Sequence, residues 1–258
     1  MKTAVTILIA LAVLSLGALS AHATVLMSEP FPYPNGNLGV APVATGSPWT
    51  CHSGSGSGDI QVTNHLAFGN MANFPDDNRT FTAQTATAKT YACFQVIIPV
   101  QSNAMVSNYF AHFKNASTGF PSRVYAVPMG STFTFGLSVN TCTSLSCLVT
   151  WPTALQFGHM YNVAISYDAA AGTSELWVDP ATESSQKITI TDTGQKSLLV
   201  SAFALRQSNQ SAPVSGTPCA WTYVVDNISV GTSFTDACSG QPVPVHNSSW
   251  GSLKRIYR

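Results

Sequence analysis

Short runs of alternating apolar and polar residues recur along the chain after residue 24, and they set the fold class. In residues 133–139 the apolar Phe133, Phe135, Leu137 and Val139 alternate with Thr134, Gly136 and Ser138. A period of two places one side of a strand against a core and the other toward solvent. Similar runs (KTYACFQVIIPV, MYNVAISYD, WTYVVDNISV) are bounded by Gly, Pro, Asn or Asp, and helical periodicity is limited to a short turn at residues 197–200. We therefore predict an all-β, antiparallel sandwich or barrel.

The first 23 residues have the three-part pattern of a secretory signal. Lys2 precedes an apolar run over residues 5–19, and Ala21-His22-Ala23 suits a signal peptidase. The apolar run is too short for a membrane-spanning helix. We predict a signal peptide at residues 1–23, one β-sandwich domain at 24–237 and a C-terminal tail at 238–258. The protein is then secreted, either extracellular or at the cell surface, and does not span a membrane.

Charged residues are scarce and balanced. Eleven basic and eleven acidic side chains make up 9% of the chain. Such a chain has only a weak electrostatic field, so we expect no nucleic-acid partner. Low charge also removes repulsion between copies, which favours self-association.

Six cysteines follow the signal segment, where an oxidising compartment favours disulfides. They are Cys51, Cys93, Cys142, Cys147, Cys219 and Cys238. Cys142 and Cys147 flank a four-residue loop, and Cys219 and Cys238 bracket one strand-like run. We expect these two pairs, and by elimination Cys51 with Cys93. Zinc is the alternative, but the sequence has no CxxC pair and no histidine cluster.

Several motifs occur in an order that resembles a known family. They are SEPFPYPNGNLG, SPWTCHSGSGSGDIQVTNHLAF, DDNRTFTAQT, YNVAISYD, SELWVDP, FALRQ and VVDNISVGTSF. The likeness covers nearly all of residues 26–236 and is to concanavalin A-like lectin/glucanase modules, LamG-like jelly rolls of bacterial secreted proteins. Such modules mostly lack an assigned activity, so the resemblance implies a fold and a compartment without a reaction.

The resemblance also suggests a cofactor. Jelly rolls of this class often join their first and last strands through calcium, which takes oxygen ligands. Glu29 and Asp226 are the candidate ligands. The alternative is that Asp226 caps a turn or accepts hydrogen bonds from the backbone. We expect no other cofactor.

Two enzyme hypotheses stay open. Glycoside hydrolysis needs two carboxylates, and Glu175 and Asp179 lie four residues apart on one predicted strand. Glucanases carry these acids about two residues apart, so the spacing departs from their motif. The second hypothesis is a polysaccharide lyase that uses His112 with Tyr109 or Tyr125.

Sugar binding commonly uses an exposed aromatic ring with polar groups beside it. Trp151, which precedes Pro152 in a loop, is the tryptophan that we expect to be exposed. Trp177 is the second candidate, although its position in a strand also suits core packing. We therefore predict a non-catalytic module that binds an extracellular polysaccharide or copies of itself.

Overall fold

The computed structural model describes residues 24–54, 58–71, 74–99, 105–139, 145–207 and 221–240. Two antiparallel sheets of nine and seven strands lie face to face. This architecture confirms the predicted all-β jelly-roll sandwich. The predicted signal peptide and most of the C-terminal tail lie outside the described residues.

The nine-stranded sheet has the order β14-β13-β12-β7-β16-β5-β4-β2, and β1 also pairs with β16. Its strands are β1 Val25–Glu29, β2 Gly36–Asn37, β4 Gln61–Thr63, β5 Leu66–Asn70, β7 Lys89–Ile97, β12 Met160–Asp168, β13 Thr173–Val178, β14 Ile188–Thr191 and β16 Thr222–Gly231. The strand β16 pairs with β7 on one side. On its other side it pairs first with β5 and then with β1.

The seven-stranded sheet has the order β11-β10-β9-β8-β15-β6-β3. Its strands are β3 Thr50–Ser53, β6 Asp76–Thr80, β8 Asn108–Asn115, β9 Arg123–Met129, β10 Thr132–Ser138, β11 Val149–Thr150 and β15 Val200–Leu205. Two short 3₁₀ turns, at Leu145–Cys147 and Thr193–Gln195, lie between strands. The second is close to the turn expected at residues 197–200.

Aromatic side chains fill the space between the sheets. Phe94 of the nine-stranded sheet contacts Phe110 and Phe203 of the seven-stranded sheet, with ring centroids 6.4 and 5.5 Å apart. All three rings are fully buried. Burial of such large apolar side chains is the main favourable term for folding.

A short helix covers part of the outer face of the nine-stranded sheet. This helix, α1, spans Phe234–Cys238, and the Ser233 hydroxyl accepts a hydrogen bond from the Asp236 backbone N–H at its start. Phe234 packs against Tyr91 and Trp177 with ring centroids 6.2 and 5.7 Å away. A disulfide between Cys238 and Cys93 of β7 joins the helix to the sheet.

That disulfide corrects the expected cysteine pairing. Cys93 bonds with Cys238, so the expected pairs Cys51–Cys93 and Cys219–Cys238 are both wrong. The spacing argument failed because α1 brings together two cysteines that are 145 residues apart in sequence. Cys51 is free and exposed. Cys147 is disulfide-bonded, while Cys142 and Cys219 lie outside the described residues.

Within the described ranges, no helix has the length and apolarity needed to cross a membrane.

The disulfide gives a stability prediction. We expect Cys238→Ser to lower the free energy of unfolding by about 3 kcal/mol, because the unfolded chain loses a cross-link over a long loop. Urea denaturation measures this change. Cys51→Ser is the matched control, and we expect it to change the free energy by less than about 0.5 kcal/mol. Equal effects of the two substitutions would contradict the role given to the disulfide.

Candidate functional site

The outer face of the seven-stranded sheet carries a group of arginine, tyrosine, histidine and phenylalanine side chains. Strand alternation and a β-bulge between Tyr109 and Ala111 produce this arrangement. In β8, Phe110, Ala111 and Phe113 point into the core, so Tyr109 and His112 lie on the outer face. We call the group the arginine–aromatic cluster, and its members are His52, Tyr109, His112, Phe120, Arg123, Tyr125 and Arg206.

Two guanidinium groups stack on one tyrosine ring. The Cζ atom of Arg206 lies 4.1 Å from the centroid of the Tyr109 ring, and that of Arg123 lies 5.0 Å from the same centroid. The Tyr125 ring is 5.4 Å from Tyr109. A cation over an aromatic face is attracted by the negative charge of the ring face. The stack therefore holds both guanidinium groups in fixed orientations at one place on the sheet.

Polar partners fix Arg206 further. Its guanidinium donates a hydrogen bond to Asn108 Oδ1 at 2.6 Å, and its Nε lies 3.8 Å from Asp76 Oδ2. Asp76 in turn accepts hydrogen bonds from Ser53 Oγ and the Gln207 backbone N–H. Arg206 is buried, whereas Arg123 and Tyr125 are only half-buried. Arg206 thus supports the cluster, and Arg123 and Tyr125 keep part of their surface accessible.

Two histidines lie beside this stack. The rings of His52 and His112 are 6.0 Å apart, and the Phe120 ring stacks on His112 at 4.8 Å with an interplanar angle of 10°. His112 is only 1% exposed. Within the described residues, His52 Nδ1, His52 Nε2 and His112 Nδ1 are buried without hydrogen-bond partners. Because a buried polar atom without a partner is costly, these three nitrogens form an unsatisfied polar group beside the stack.

Both histidines are neutral at physiological pH. Burial lowers the pKa of His112 well below its usual value, and the nearby His52, Arg123 and Arg206 add to this effect. Burial also lowers the pKa of His52 to about 4, with a further decrease from Lys114 and an opposing increase from Asp76. Each imidazole therefore presents one N–H donor and one acceptor.

The structure brings together residues that the lyase hypothesis named. The centroids of Tyr109 and His112 are 5.5 Å apart, and Tyr125 adjoins Tyr109. Sequence reasoning missed Arg123, Arg206, Phe120 and His52. Val124 points into the core, so the period of two in RVYAV places its neighbour Arg123 on the outer face of the sheet. Alternation could therefore have shown that Arg123 lies on this face. Phe120 lies in a loop, where no periodicity applies.

The structure does not support Trp151 as an exposed sugar platform. Trp151 is only 8% exposed and belongs to the main core. Its backbone N–H donates to Phe135 O, and its carbonyl accepts from the Thr134 hydroxyl, so the sheet continues through this segment. The expectation of exposure was wrong because a Trp-Pro sequence alone does not show that the loop packs back onto the sheet.

Trp177 also has no accessible ring face. Its ring is fully buried under α1 on the outer side of its own strand, β13, against Tyr91 and Phe234. Its indole N–H donates to Glu183 O at 3.1 Å, and Lys187 Nζ lies 5.1 Å from its ring centroid. Its role as a ligand-binding platform is therefore wrong, and core packing, the alternative from the sequence, is confirmed.

Glu175 belongs to an ion-pair network. Its carboxylate lies 2.7 Å from Lys89 Nζ and 2.6 Å from Lys187 Nζ, and it accepts a hydrogen bond from Ser166 Oγ. Burial opposes ionisation, but the hydrogen bonds from Lys187 and Lys89 dominate in sum and lower the pKa of Glu175. A general acid needs a raised pKa. The hydrolase hypothesis on Glu175 and Asp179 gains no support from this geometry.

The surroundings of Glu29 do not fit a calcium ion. Its two carboxylate oxygens accept hydrogen bonds from the Phe31 backbone N–H, Tyr33 Oη, Trp49 Nε1 and the Arg79 guanidinium, each at 2.7 Å. These groups are donors, whereas Ca²⁺ requires oxygen acceptors.

The second candidate calcium ligand is Asp226. Burial raises the pKa of Asp226, and its oxygens accept hydrogen bonds from Asn227. The described ranges contain no group of three or more His, Cys, Asp or Glu that could hold a metal. Calcium on Glu29 and Asp226 stays an untested prediction.

Glu29 instead joins β1 to the core, which gives a second stability prediction. We expect Glu29→Gln to lower the free energy of unfolding by about 3 kcal/mol, because it leaves the Arg79 charge without its partner. Glu183→Gln is the control, since the Glu183 side chain is half exposed and its ion pair with Lys89 contributes at most about 1 kcal/mol. Chemical denaturation of both variants tests this, and a loss for Glu29→Gln no larger than the control would contradict it.

The low pKa of His52 predicts acid sensitivity. An unfolded histidine has a pKa of 6.5 and His52 in the fold about 4, so the unfolded state binds more protons in this range. The stability that His52 contributes is present above pH 6.5 and is lost as the pH falls toward 4. We expect His52→Asn to have a shallower loss of stability over this range. An NMR titration that places the His52 midpoint near 6.5 would contradict this prediction.

The sequence matches no protein-family model and none of the curated proteins. Solved structures are similar in fold. A double mutant of alginate lyase Aly36B in complex with alginate tetrasaccharide has a TM-score of 0.53 and 10% identity, with 81% of this chain and 96% of that chain covered. Alginate lyase Aly36B itself has a TM-score of 0.51 at 10% identity and the same coverage.

A carbohydrate-binding neighbour has the same architecture. The CBM2 module of the evolved Dit of Lactobacillus casei BL23 phage J-1 has a TM-score of 0.50 and 11% identity, with 81% of this chain and 96% of that chain covered. At such identities the similarity shows the fold alone. The fold of this chain is the concanavalin A-like jelly roll that the sequence motifs indicated.

Proposed function

We propose that the arginine–aromatic cluster binds an acidic extracellular polysaccharide, with polyuronates such as alginate as the ligand class. The observation that carries this proposal is the stack of Arg123 and Arg206 on Tyr109. A guanidinium group matches a carboxylate with two parallel hydrogen bonds. The half-buried Tyr125 beside the stack offers an aromatic surface for a sugar ring.

The charge of this face supports an acidic ligand. Arg123, Arg206 and Lys114 act electrostatically on His112, and Asp76 is the carboxylate that pairs with Arg206. The chain as a whole has no net charge. The excess of cations is therefore local, and it lies on the same side of the sheet as the unpartnered histidine nitrogens.

The burial of His112 favours binding without cleavage. A general base must reach the proton that it removes, and Phe120 stacks directly on the His112 ring. The sequence pattern of a secretory signal and the Cys93–Cys238 disulfide support a role outside the cell. The likeness in fold to a carbohydrate-binding module and to an alginate lyase is compatible with this proposal.

A polyuronate lyase is the second candidate, and the contact of neutral His112 with Tyr109 favours it. In β-elimination, His112 would take the C5 proton of the uronate while Arg123 and Arg206 neutralise its carboxylate. The C4–O4 bond then breaks, the C4–C5 double bond forms, and Tyr109 gives a proton to the leaving oxygen. This reaction requires Phe120 to move away from His112.

The binding proposal predicts a charge-dependent affinity. We expect the purified mature protein to bind alginate or glucuronan in preference to a neutral β-glucan, and less tightly as salt is added. Arg123→Gln should weaken binding about tenfold, because a hydrogen-bonded charge contact is worth about 1.5 kcal/mol or more. Lys196→Gln, an exposed cation beside the nine-stranded sheet, is the control and should bind as wild type. Calorimetry with defined oligosaccharides measures these affinities.

Assays on wild type and the variants distinguish binding without cleavage from lyase activity. Ultraviolet absorbance of an unsaturated uronate, lost in His112→Gln, would establish the lyase and overturn the non-catalytic proposal. Equal binding by wild type and Arg123→Gln would remove the cluster as the binding site. Sizing chromatography tests the expected association of copies, which stays a separate prediction.

A further inference from the structure

A buried pair of carboxyl groups lies on the inner side of β6, facing away from the arginine–aromatic cluster. Asp77 of β6 pairs in the sheet with the core residue Leu205, so its side chain points inward, and it is 0% exposed. Asp59 precedes β4 and is also buried. Within the described residues, both carboxyl oxygens of Asp77 and Oδ1 of Asp59 have no hydrogen-bond donor.

Both carboxyl groups adjoin Gly39, and a hydrogen bond from Asp77 to Asp59 helps to raise the pKa of Asp77. A Cβ atom at position 39 would clash with the Asp77 carboxyl group, so the backbone of Gly39 lies directly against it. The Gly39 and Val40 backbone N–H groups donate to Asp59 Oδ2, both at 2.9 Å. The pair therefore lies against the turn of residues 38–40, and both carboxyl groups are buried.

No cation balances this pair among the described residues. The charged or titratable groups that act on it are Asp76, the Cys51 thiol and Tyr223. Arg206 pairs with Asp76 on the other side of the strand. Two ionised carboxylates in contact would repel each other strongly at low dielectric. One extra positive charge is required, and a proton is the smallest group that can supply it.

We propose that Asp59 and Asp77 share one proton, with Asp77 as the donor and ionised Asp59 as the acceptor, and that this hydrogen bond holds the turn of residues 38–40 on β6. The hydrogen-bond donors around the two carboxyl groups determine which of them is ionised. Two backbone N–H groups stabilise negative charge on Asp59, whereas no donor does so for Asp77. The shared proton also gives Asp59 Oδ1 the donor that it otherwise lacks.

The pair makes the stability of the fold fall as the pH rises. Burial raises the pKa of Asp77 from 3.8 to about 9, and the hydrogen bond and charge of Asp59 add to the effect. Between these values the folded state holds a proton that the unfolded state has released. The contribution of Asp77 to stability is fully present below its unfolded pKa and is lost as the pH rises toward about 9.

The test compares wild type with Asp77→Asn by chemical denaturation between about pH 5 and about pH 8. An asparagine amide can donate to Asp59 without a titrating proton. We expect the unfolding equilibrium constant of wild type, relative to that of Asp77→Asn, to rise about tenfold per pH unit. Parallel pH profiles would overturn the proposal. The comparison is independent of glycan binding, because no polysaccharide is present.

Infrared spectroscopy tests the proton directly, even if the variant does not fold. Wild type at neutral pH should show the C=O stretch of a protonated carboxylic acid, and this band should disappear at a pH above 9 or in Asp77→Asn. A spectrum without the band at neutral pH would overturn the proposal. Loss of the band on addition of calcium chloride, with a rise in melting temperature, would also overturn it and assign the pair to a divalent cation.

Discussion

The longer strands of this protein pack apolar side chains between two sheets, and the rest of the structure depends on this constraint. The contacts of Phe94 with Phe110 and Phe203 join the layers through the middle of the sandwich. Because side chains alternate along a strand, each inward residue fixes the direction of its neighbours. The outward position of His112 follows from the burial of Ala111 and Phe113 on either side of it. The arginine–aromatic cluster is thus a consequence of how the core is packed.

The two outer faces of the sandwich have different surroundings. On the nine-stranded sheet, α1 covers Tyr91 and Trp177, and the Cys93–Cys238 disulfide holds the helix in place. On the seven-stranded sheet, Arg123 and Tyr125 keep part of their surface accessible. This difference is the physical reason to assign the proposed binding function to the seven-stranded sheet, although both faces carry aromatic rings and cations.

Buried carboxyl groups hold strands and turns of the sandwich together. Glu29 joins β1 to Trp49 and Arg79, and Asp59 holds the turn at Gly39. A buried carboxylate is tolerated when hydrogen-bond donors surround it. Glu29 satisfies this condition with four donors, and it therefore stabilises β1, which pairs with β16. Asp77 lacks such donors, which is why its protonation state becomes a property of the fold.

The sequence by itself determined the all-β class, because the period of two in residues 133–139 and in similar runs is typical of antiparallel strands, and the motif resemblance favoured a sandwich over a barrel. It also indicated the burial of Trp177 as an alternative, and it drew attention to His112 and Tyr109. Only the tertiary structure decided which residues meet across long separations in sequence. The partner of Cys93 depends on a five-residue helix too short to show periodicity, and the exposure of Trp151 depends on how its loop returns to the sheet. The stack of Arg123 and Arg206 on Tyr109 joins β8, β9 and the residue that follows β15, and no local pattern in the sequence encodes the register that brings them together.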